Sequence, residues 1–482
     1  MSNLRNKVIS GLIWKFAERA GAELVAFVVS IVLARIMLPE DFGVIALVTV
    51  FINIANVFVT AGFGNSLIQK KDITNDDFST IFFFNIGFSI CFYFILYISA
   101  PFIASFYETP ILTPVLRVLG LRIIVASINN IQQSYVSRHM EFKKFFFSTL
   151  IGTVISAVVG IVMALCDMGV WALVAQNLSN ACINTLILWF TVEWRPTLTF
   201  QFKRLKALFS YGWNLLISAL LDTGYNELRS MLIGKMYSSS ALAYYNKGNS
   251  FPNLIIANIN SSISGVLFPA ISQEQDNITK VKNMTRRSIT TSSYILIPAM
   301  VGLAAIAEPL IELMLTEKWL PCVIFLQLGC ITYAFRPMST ANLEAIKALG
   351  RSDIFLKLEI VKKAIGIILL IMSIPYGVTA IAVSAVITTL ISTLINTIPN
   401  QKILHYGYLQ QLWDITPTIV VSLIMGVTIR LFRLCITAPL PLLIVQVLCG
   451  CMVYIGLSYI FKIETFQYII NLLKDRIIKR KK

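Results

Sequence analysis

The chain has 482 residues, of which 57% are hydrophobic and 13% charged, with a mean hydropathy of +0.76. Soluble domains are about a quarter charged, so this composition excludes a water-soluble globular protein of this size and makes lipid the solvent. A net charge of +16 would suggest nucleic acid on a soluble chain; its distribution along this one points to membrane topology instead.

In chain order, apolar runs about 20 residues long, the length one helix needs to cross a bilayer, are predicted at 10–34, 43–67, 79–105, 111–136, 145–166, 169–192 and 207–233. Further runs follow at 250–272, 288–315, 321–345, 354–374, 377–398, 413–432 and 438–461. The runs are too long for barrel strands and lack period-two polarity. The expected fold is therefore an all-α integral membrane protein of about fourteen transmembrane helices. The pair 354–374 and 377–398 meets at IPYG, read as a tight turn around Pro375 and Gly377.

The first run, GLIWKFAERAGAELVAFVVSIVLARIMLPEDFG from Gly11, carries Lys15, Glu18, Arg19 and Glu23. On a helix these four fall within an arc of about 140°. Facing lipid, each charge would cost at least ~2.5–3.5 kcal/mol, so the arc must face protein or a water-filled cavity. The seventh run repeats the feature: Asp222, Asn226 and Arg229 share a face, and Glu227 is turned off it. Arg117, Arg122, Arg336, Lys362 and Lys363 are further cations within runs, and Arg336 precedes Pro337, which invites a kink. Pairs such as Lys15–Glu18, Arg19–Glu23 and Asp222–Arg229 would by themselves clip helices together. Cations remain after that pairing, which favours a cavity for an anionic substrate.

With the N-terminus inside, 26 of the 40 Lys and Arg fall in cytoplasmic segments and six outside, so the positive-inside rule puts both termini in the cytoplasm. The tail ETFQYIINLLKDRIIKRKK reads equally as an amphipathic helix on the anionic inner leaflet or as a frayed basic terminus. No cleavable signal peptide is expected. Eight cysteines are scattered along apolar runs, and the one close pair, Cys449-Gly-Cys451, suits helix packing better than a metal clip. No metal site, cofactor or nucleic-acid partner is expected.

LARIMLPEDFGVIALVTVF from Leu33 and IGKMYSSSALAYYNKGNSF from Ile233 align at an offset of 200 residues, with Arg35 opposite Lys235 and Gly43 opposite Ala243. This suggests two parallel six-helix lobes with a substrate site between them. The divisions are 1–192 for the N-lobe, 193–206 for a cytoplasmic interlobe linker and 207–399 for the C-lobe. A terminal helix pair at 400–461 and a basic cytoplasmic tail at 462–482 complete the chain.

The opening GLIWKFAERAGAELVAFVVSIVLARIMLPEDFGVIALVTVF, then AGFGNSLIQKKDITNDDFSTIFFFNIG, QQSYVSRHMEFKKF, DMGVWALVAQNL, EWRPTLTF and LFPAISQEQD, resembles the polysaccharide transporter family. These are Wzx-type and teichuronic acid exporter-like flippases of the multidrug/oligosaccharidyl-lipid/polysaccharide exporter superfamily. The matching pieces run from about residue 5 to 280.

The resemblance implies a MATE-like two-lobed flippase without enzymatic activity. It would move an undecaprenyl-pyrophosphate-linked oligosaccharide across the bacterial cytoplasmic membrane by alternating access, for capsule, O-antigen or exopolysaccharide assembly. Other polysaccharide assembly proteins are candidate partners. By position, Lys15, Arg19, Arg35, Asp222 and Arg229 are the expected counterparts of the family's cavity residues. The expected substrate-binding set is Lys15, Arg19, Arg35, Arg122, Arg229 and Arg336. Glu18, Glu23, Asp222 and Glu227 are the candidates for proton or ion coupling.

Three alternatives are open to this sequence. A cation-coupled multidrug exporter would want an anionic cavity. A membrane polysaccharide polymerase or ligase would typically carry a large external loop. A scaffold without transport activity is the third.

Overall fold

In hydrocarbon, backbone N–H and C=O groups must be satisfied within the segment itself, and helix is what these runs adopt. The structure, a computed structural model, describes the backbone at 2–60, 67, 73–139 and 141–471. It describes side chains over the same residues except 2–13, 15, 16, 19, 20, 203–215, 258, 261, 262 and 352. Among the described residues there is no strand.

Two compact units divide the chain, Met1–Ala243 and Tyr244–Lys482. The first holds α1 (Ser2–Ile36), α2 (Pro39–Thr60), α3 (Asn75–Phe106), α4 (Leu112–Leu119), α5 (Leu121–His139), α6 (Phe142–Leu165), α7 (Val170–Thr191) and α8 (Phe202–Met236). Helix α6 packs between α1 and α7, α5 packs on α3 and α7, and α2 packs on α5, α7 and α8. At one end a core of Phe78, Phe82, Ile131, Leu188 and Trp194 joins α3, α5 and α7. The segment following α7 is strapped to that core: Thr197 N donates to Ser79 Oγ at 3.0 Å and Thr199 Oγ1 to Asp76 Oδ1 at 3.2 Å.

Helix α9 (Ser239–Gln273) begins in the first unit and continues into the second. The second unit adds α10 (Ile278–Ala305), α11 (Ala307–Leu315), α12 (Val323–Ala334), α13 (Arg336–Ala348), α14 (Ser352–Ser373), α15 (Val378–Ile403), α16 (Tyr408–Leu431) and α17 (Pro439–Ile460), then a helix over 464–471. Here a buried amide network crosses from α13 to α15 and α16. Asn342 Nδ2 donates to Gln411 Oε1 at 2.7 Å, and Gln411 Nε2 returns a bond to Asn342 Oδ1 at 3.0 Å. Asn400 Nδ2 donates to the same oxygen at 2.6 Å. In the loop beside it, burial and the Asp414 carboxylate, which accepts its proton at 2.6 Å, push the Tyr406 hydroxyl above the ordinary phenol range.

Nine helical stretches among the described residues are long and apolar enough to cross a membrane, and the chain is a multi-pass membrane protein. They coincide with nine of the expected spans. The other five, at 10–34, 169–192, 207–233, 250–272 and 354–374, are also helical (α1, α7, α8, α9 and α14), and each interrupts its apolar run with polar or charged side chains.

Two expected single spans are each broken. The run 111–136 splits into α4 and α5 at Gly120, and 321–345 splits into α12 and α13 at Phe335. The second break lies just ahead of Pro337, whose ring cannot sit deep inside a helix without displacing the preceding turn. At IPYG, a short 3-10 turn over Ile374–Tyr376 leads into Gly377 at φ +98°, a conformation that suits glycine and separates α14 from α15. Gly450, between Cys449 and Cys451, is buried against Ile429 of α16, where Gln446 Nε2 also donates to the Ile429 carbonyl at 3.0 Å. That close helix contact is the packing role expected of the small residues there.

Candidate functional site

The charged residues flagged in the first run sit on α1. Glu18 is half-buried and accepts a hydrogen bond from Thr149 Oγ1 of α6 at 3.0 Å. Glu23, one turn on, is also half-buried, and Arg35 in the last turn is exposed. The side chains of Lys15 and Arg19 lie outside the described residues, so their expected pairing with Glu18 and Glu23 does too.

On α8, Glu227 reaches α2: Asn53 Nδ2 donates to its Oε1 at 2.8 Å. The face it was expected to turn away from carries Asp222, which is exposed and accepts from Asn226 Nδ2 at 3.3 Å. Arg229 is half-buried, and its Nε is buried with no hydrogen-bond partner among the described residues. No ion pair joins it to Asp222, contrary to the pairing read from their spacing. The two are i and i+7 on one helix, so their Cα atoms stand about 10 Å apart.

Arg122 on α5 is half-buried and lies 3.5 Å from Asn177 Oδ1 of α7, a contact at the limit of hydrogen bonding. Arg336 heads α13 in the second unit, exposed, with its guanidinium 5.4 Å from the Tyr333 ring.

Glu18, Arg122 and Glu227 are therefore engaged with uncharged amides and hydroxyls from adjoining helices. Those amides were missed in the sequence. Asn53 and Asn56 lie on α2, Asn129 and Asn130 on α5, and Gln176, Asn177, Asn180 and Asn184 on α7, all half-buried. Asn180 Nδ2 donates to Ser156 Oγ of α6 at 3.2 Å, and Asn130 Nδ2 to the Val59 carbonyl at 3.0 Å. The Oδ1 atoms of Asn56, Asn129 and Asn184 are buried without a described partner. A signal existed: QNLSN places Gln176 and Asn180 one turn apart and Asn184 a turn further, on a single helix face. Amides are costly to leave unpaired in hydrocarbon, and helices α2, α5, α7 and α8 carry these polar side chains among their apolar ones.

The profile of the polysaccharide biosynthesis protein family matches residues 32–324. The teichuronic acid biosynthesis protein TuaB of Bacillus subtilis (strain 168) is 24% identical over 364 residues, covering 73% of this chain and 74% of that protein. The lipopolysaccharide biosynthesis protein WzxC of Escherichia coli (strain K12) is 24% identical over 445 residues, 89% of each chain. Among solved structures, the lipid II flippase MurJ in an inward closed conformation shares the fold. Its TM-score is 0.74 at 17% identity, covering 93% of this chain and 98% of that one.

Proposed function

This chain belongs to the polysaccharide biosynthesis protein family, and from that membership we propose that it is a flippase for a lipid-linked oligosaccharide. It carries an undecaprenyl-pyrophosphate-linked glycan across the bacterial cytoplasmic membrane by alternating access, without catalysing a reaction, and serves surface polysaccharide assembly. The observation that carries this is similarity to WzxC along 89% of both chains.

Physical chemistry gives the transporter its task. A pyrophosphate and several sugars entering bare hydrocarbon would shed their hydration at a cost of many kcal/mol. The polyprenyl tail, worth ~0.8 kcal/mol per buried CH₂, stays in lipid. A polar path for the head group with a side opening for the tail is then sufficient, and the amides of α2, α5, α7 and α8 supply polar lining of that kind.

In this proposal Lys15, Arg19, Arg35, Arg122, Arg229 and Arg336 neutralise the pyrophosphate, and Arg229, with its unbonded Nε, is the foremost of them. Glu18, Glu23, Asp222 and Glu227 are the acids available for ion coupling. The full architecture is fourteen spans in two lobes, 1–192 and 207–399, with both termini cytoplasmic. The element lengths support the repeat. Helices α1 and α8 each have 35 residues, and α1 and α2 begin 200 residues ahead of α8 and α9 to within a residue. Each half also has a broken fourth span, at Gly120 and at Phe335.

A strain lacking this chain tests the function directly. Its lipid-linked glycan should accumulate on the cytoplasmic leaflet, and complementation should restore surface polysaccharide. A deletion strain with normal surface glycan and no trapped precursor would refute the assignment.

A further inference from the structure

A cavity of about 370 Å³ opens between the first half of α10 and the helix over 464–471. Asn283, Arg287 and Thr291 line it from one face of α10, at i, i+4 and i+8, and Tyr468 lines it from the other side. The Arg287 guanidinium stacks over the Tyr468 ring, 3.0 Å from its centroid. Among the described residues, none accepts a hydrogen bond from the Arg287 side chain.

Its neighbour Arg286 is differently placed. It makes a two-pronged bond to Asp414, Nε to Oδ2 at 2.9 Å and Nη2 to Oδ1 at 2.8 Å, which consumes its charge. Glu464 also lines the cavity, 3.9 Å from Arg286 and with its side chain 88% exposed, where water screens its charge. The cavity is left with one planar cation whose donors are unspent, flanked by an amide and a hydroxyl.

The depth of the cavity says what meets it. Trp413, next to Asp414, is 76% exposed, as is typical of the indole belt at headgroup level. One turn beyond Thr291 the surface turns apolar at exposed Ile295, and towards the start of α10 it is cationic at Lys280 and Lys282. Along the same two helices, Tyr294 and Phe466 pack with Tyr454 in an apolar cluster. A ligand here has a charged end at the membrane surface and an apolar end below it.

We propose that this cavity is a binding site for the phosphodiester of an anionic bilayer phospholipid, held by Arg287 with Asn283 and Thr291. The lipid pins the helix over 464–471 against α10. An arginine fork matches phosphate oxygens in pairs, and stacking on Tyr468 fixes its plane. A free phosphate would use the same donors but gain nothing from the exposed apolar surface at Ile295.

The test is native mass spectrometry of the full chain in detergent, titrated with phosphatidylglycerol or with diacylglycerol, which lacks the phosphodiester. Wild type should bind phosphatidylglycerol about tenfold more tightly, the scale of one charge-assisted contact. Arg287→Ala should abolish that preference, Tyr468→Ala should weaken it, and Tyr468→Phe should keep it. Arg287 is exposed, so unchanged thermal melting of Arg287→Ala is expected. Lys481→Ala with Lys482→Ala should leave the preference intact.

Equal affinity for the two lipids in wild type would overturn the proposal, as would an unchanged preference in Arg287→Ala. Displacement of phosphatidylglycerol by millimolar inorganic phosphate would instead mark a free-anion site and equally overturn the lipid.

Discussion

Glu227 and Arg229 sit two residues apart on α8, yet they meet different surroundings. Glu227 is met by the Asn53 amide, while the Nε of Arg229 is buried and unbonded. Losing one partner of a buried hydrogen bond costs about 1–3 kcal/mol. Asn53→Leu should therefore lower the melting temperature of the protein in detergent, and Glu227→Leu in the same background should recover part of the loss. Additive effects of the two substitutions would mean that the bond carries no coupling energy. For Arg229, Arg229→Ala should cut export at least tenfold with normal amounts of protein in the membrane, and Arg229→Lys should restore part of it. Full export by Arg229→Ala would remove this residue from the proposed site.

The charges at these positions were legible because Asp222, Glu227 and Arg229 in an apolar run stand out against the cost of placing them in lipid. The amides beside them were not. A single Asn such as Asn53 barely disturbs a hydrophobic run, and its importance appears only once Glu227 is seen across the helix contact.

At the scale of elements, α2, α8 and the start of α9 approach closely. A Cβ on Gly43 would stand 1.8 Å from the Ser239 carbonyl oxygen, a backbone atom that cannot step aside. A Cβ on Gly234 would stand 2.3 Å from Leu47 Cδ2, the mobile end of a side chain. Gly43→Ala should thus be far more damaging than Gly234→Ala, for which about 1–3 kcal/mol of overpacking is expected. Equal loss of transport and stability in the two variants would contradict this contact. Lys235 Nζ pairs with Glu108 Oε1 at 3.0 Å near the same end; as an exposed pair it adds little to stability.

In the second unit, Asn342→Leu should destabilise by about 2–4 kcal/mol, because Gln411 and Asn400 each lose a buried partner. Thermal unfolding in detergent reads that directly. Helix positions were largely legible from hydropathy, since length and apolarity are what the bilayer demands. The break at Gly120 was not, because the run has no proline there and Gly120 keeps helical backbone angles, φ −58° and ψ −27°. The break near Pro337 was, because proline announces itself.

For the whole molecule, the proposed fourteen-span topology puts most basic residues on one side of the membrane and both ends in the cytoplasm. Reporter fusions that are active only on one side, placed at the N-terminus, after residue 237 and after residue 471, test it. The first and third should report cytoplasm and the second the outside; any other pattern changes the span count. The proposed repeat rests in the sequence on a weak match at an offset of 200 residues, and the equal lengths of α1 and α8, 35 residues each, support it.

One measurement bears most directly on transport itself. Purified protein in vesicles containing a fluorescent undecaprenyl-pyrophosphate oligosaccharide should move the head group between leaflets, so that a membrane-impermeant quencher reaches nearly all of it, while Arg229→Ala vesicles move it far more slowly. If wild-type vesicles protect the inner-leaflet fluorophore as well as protein-free vesicles do, the chain does not flip lipid-linked glycans.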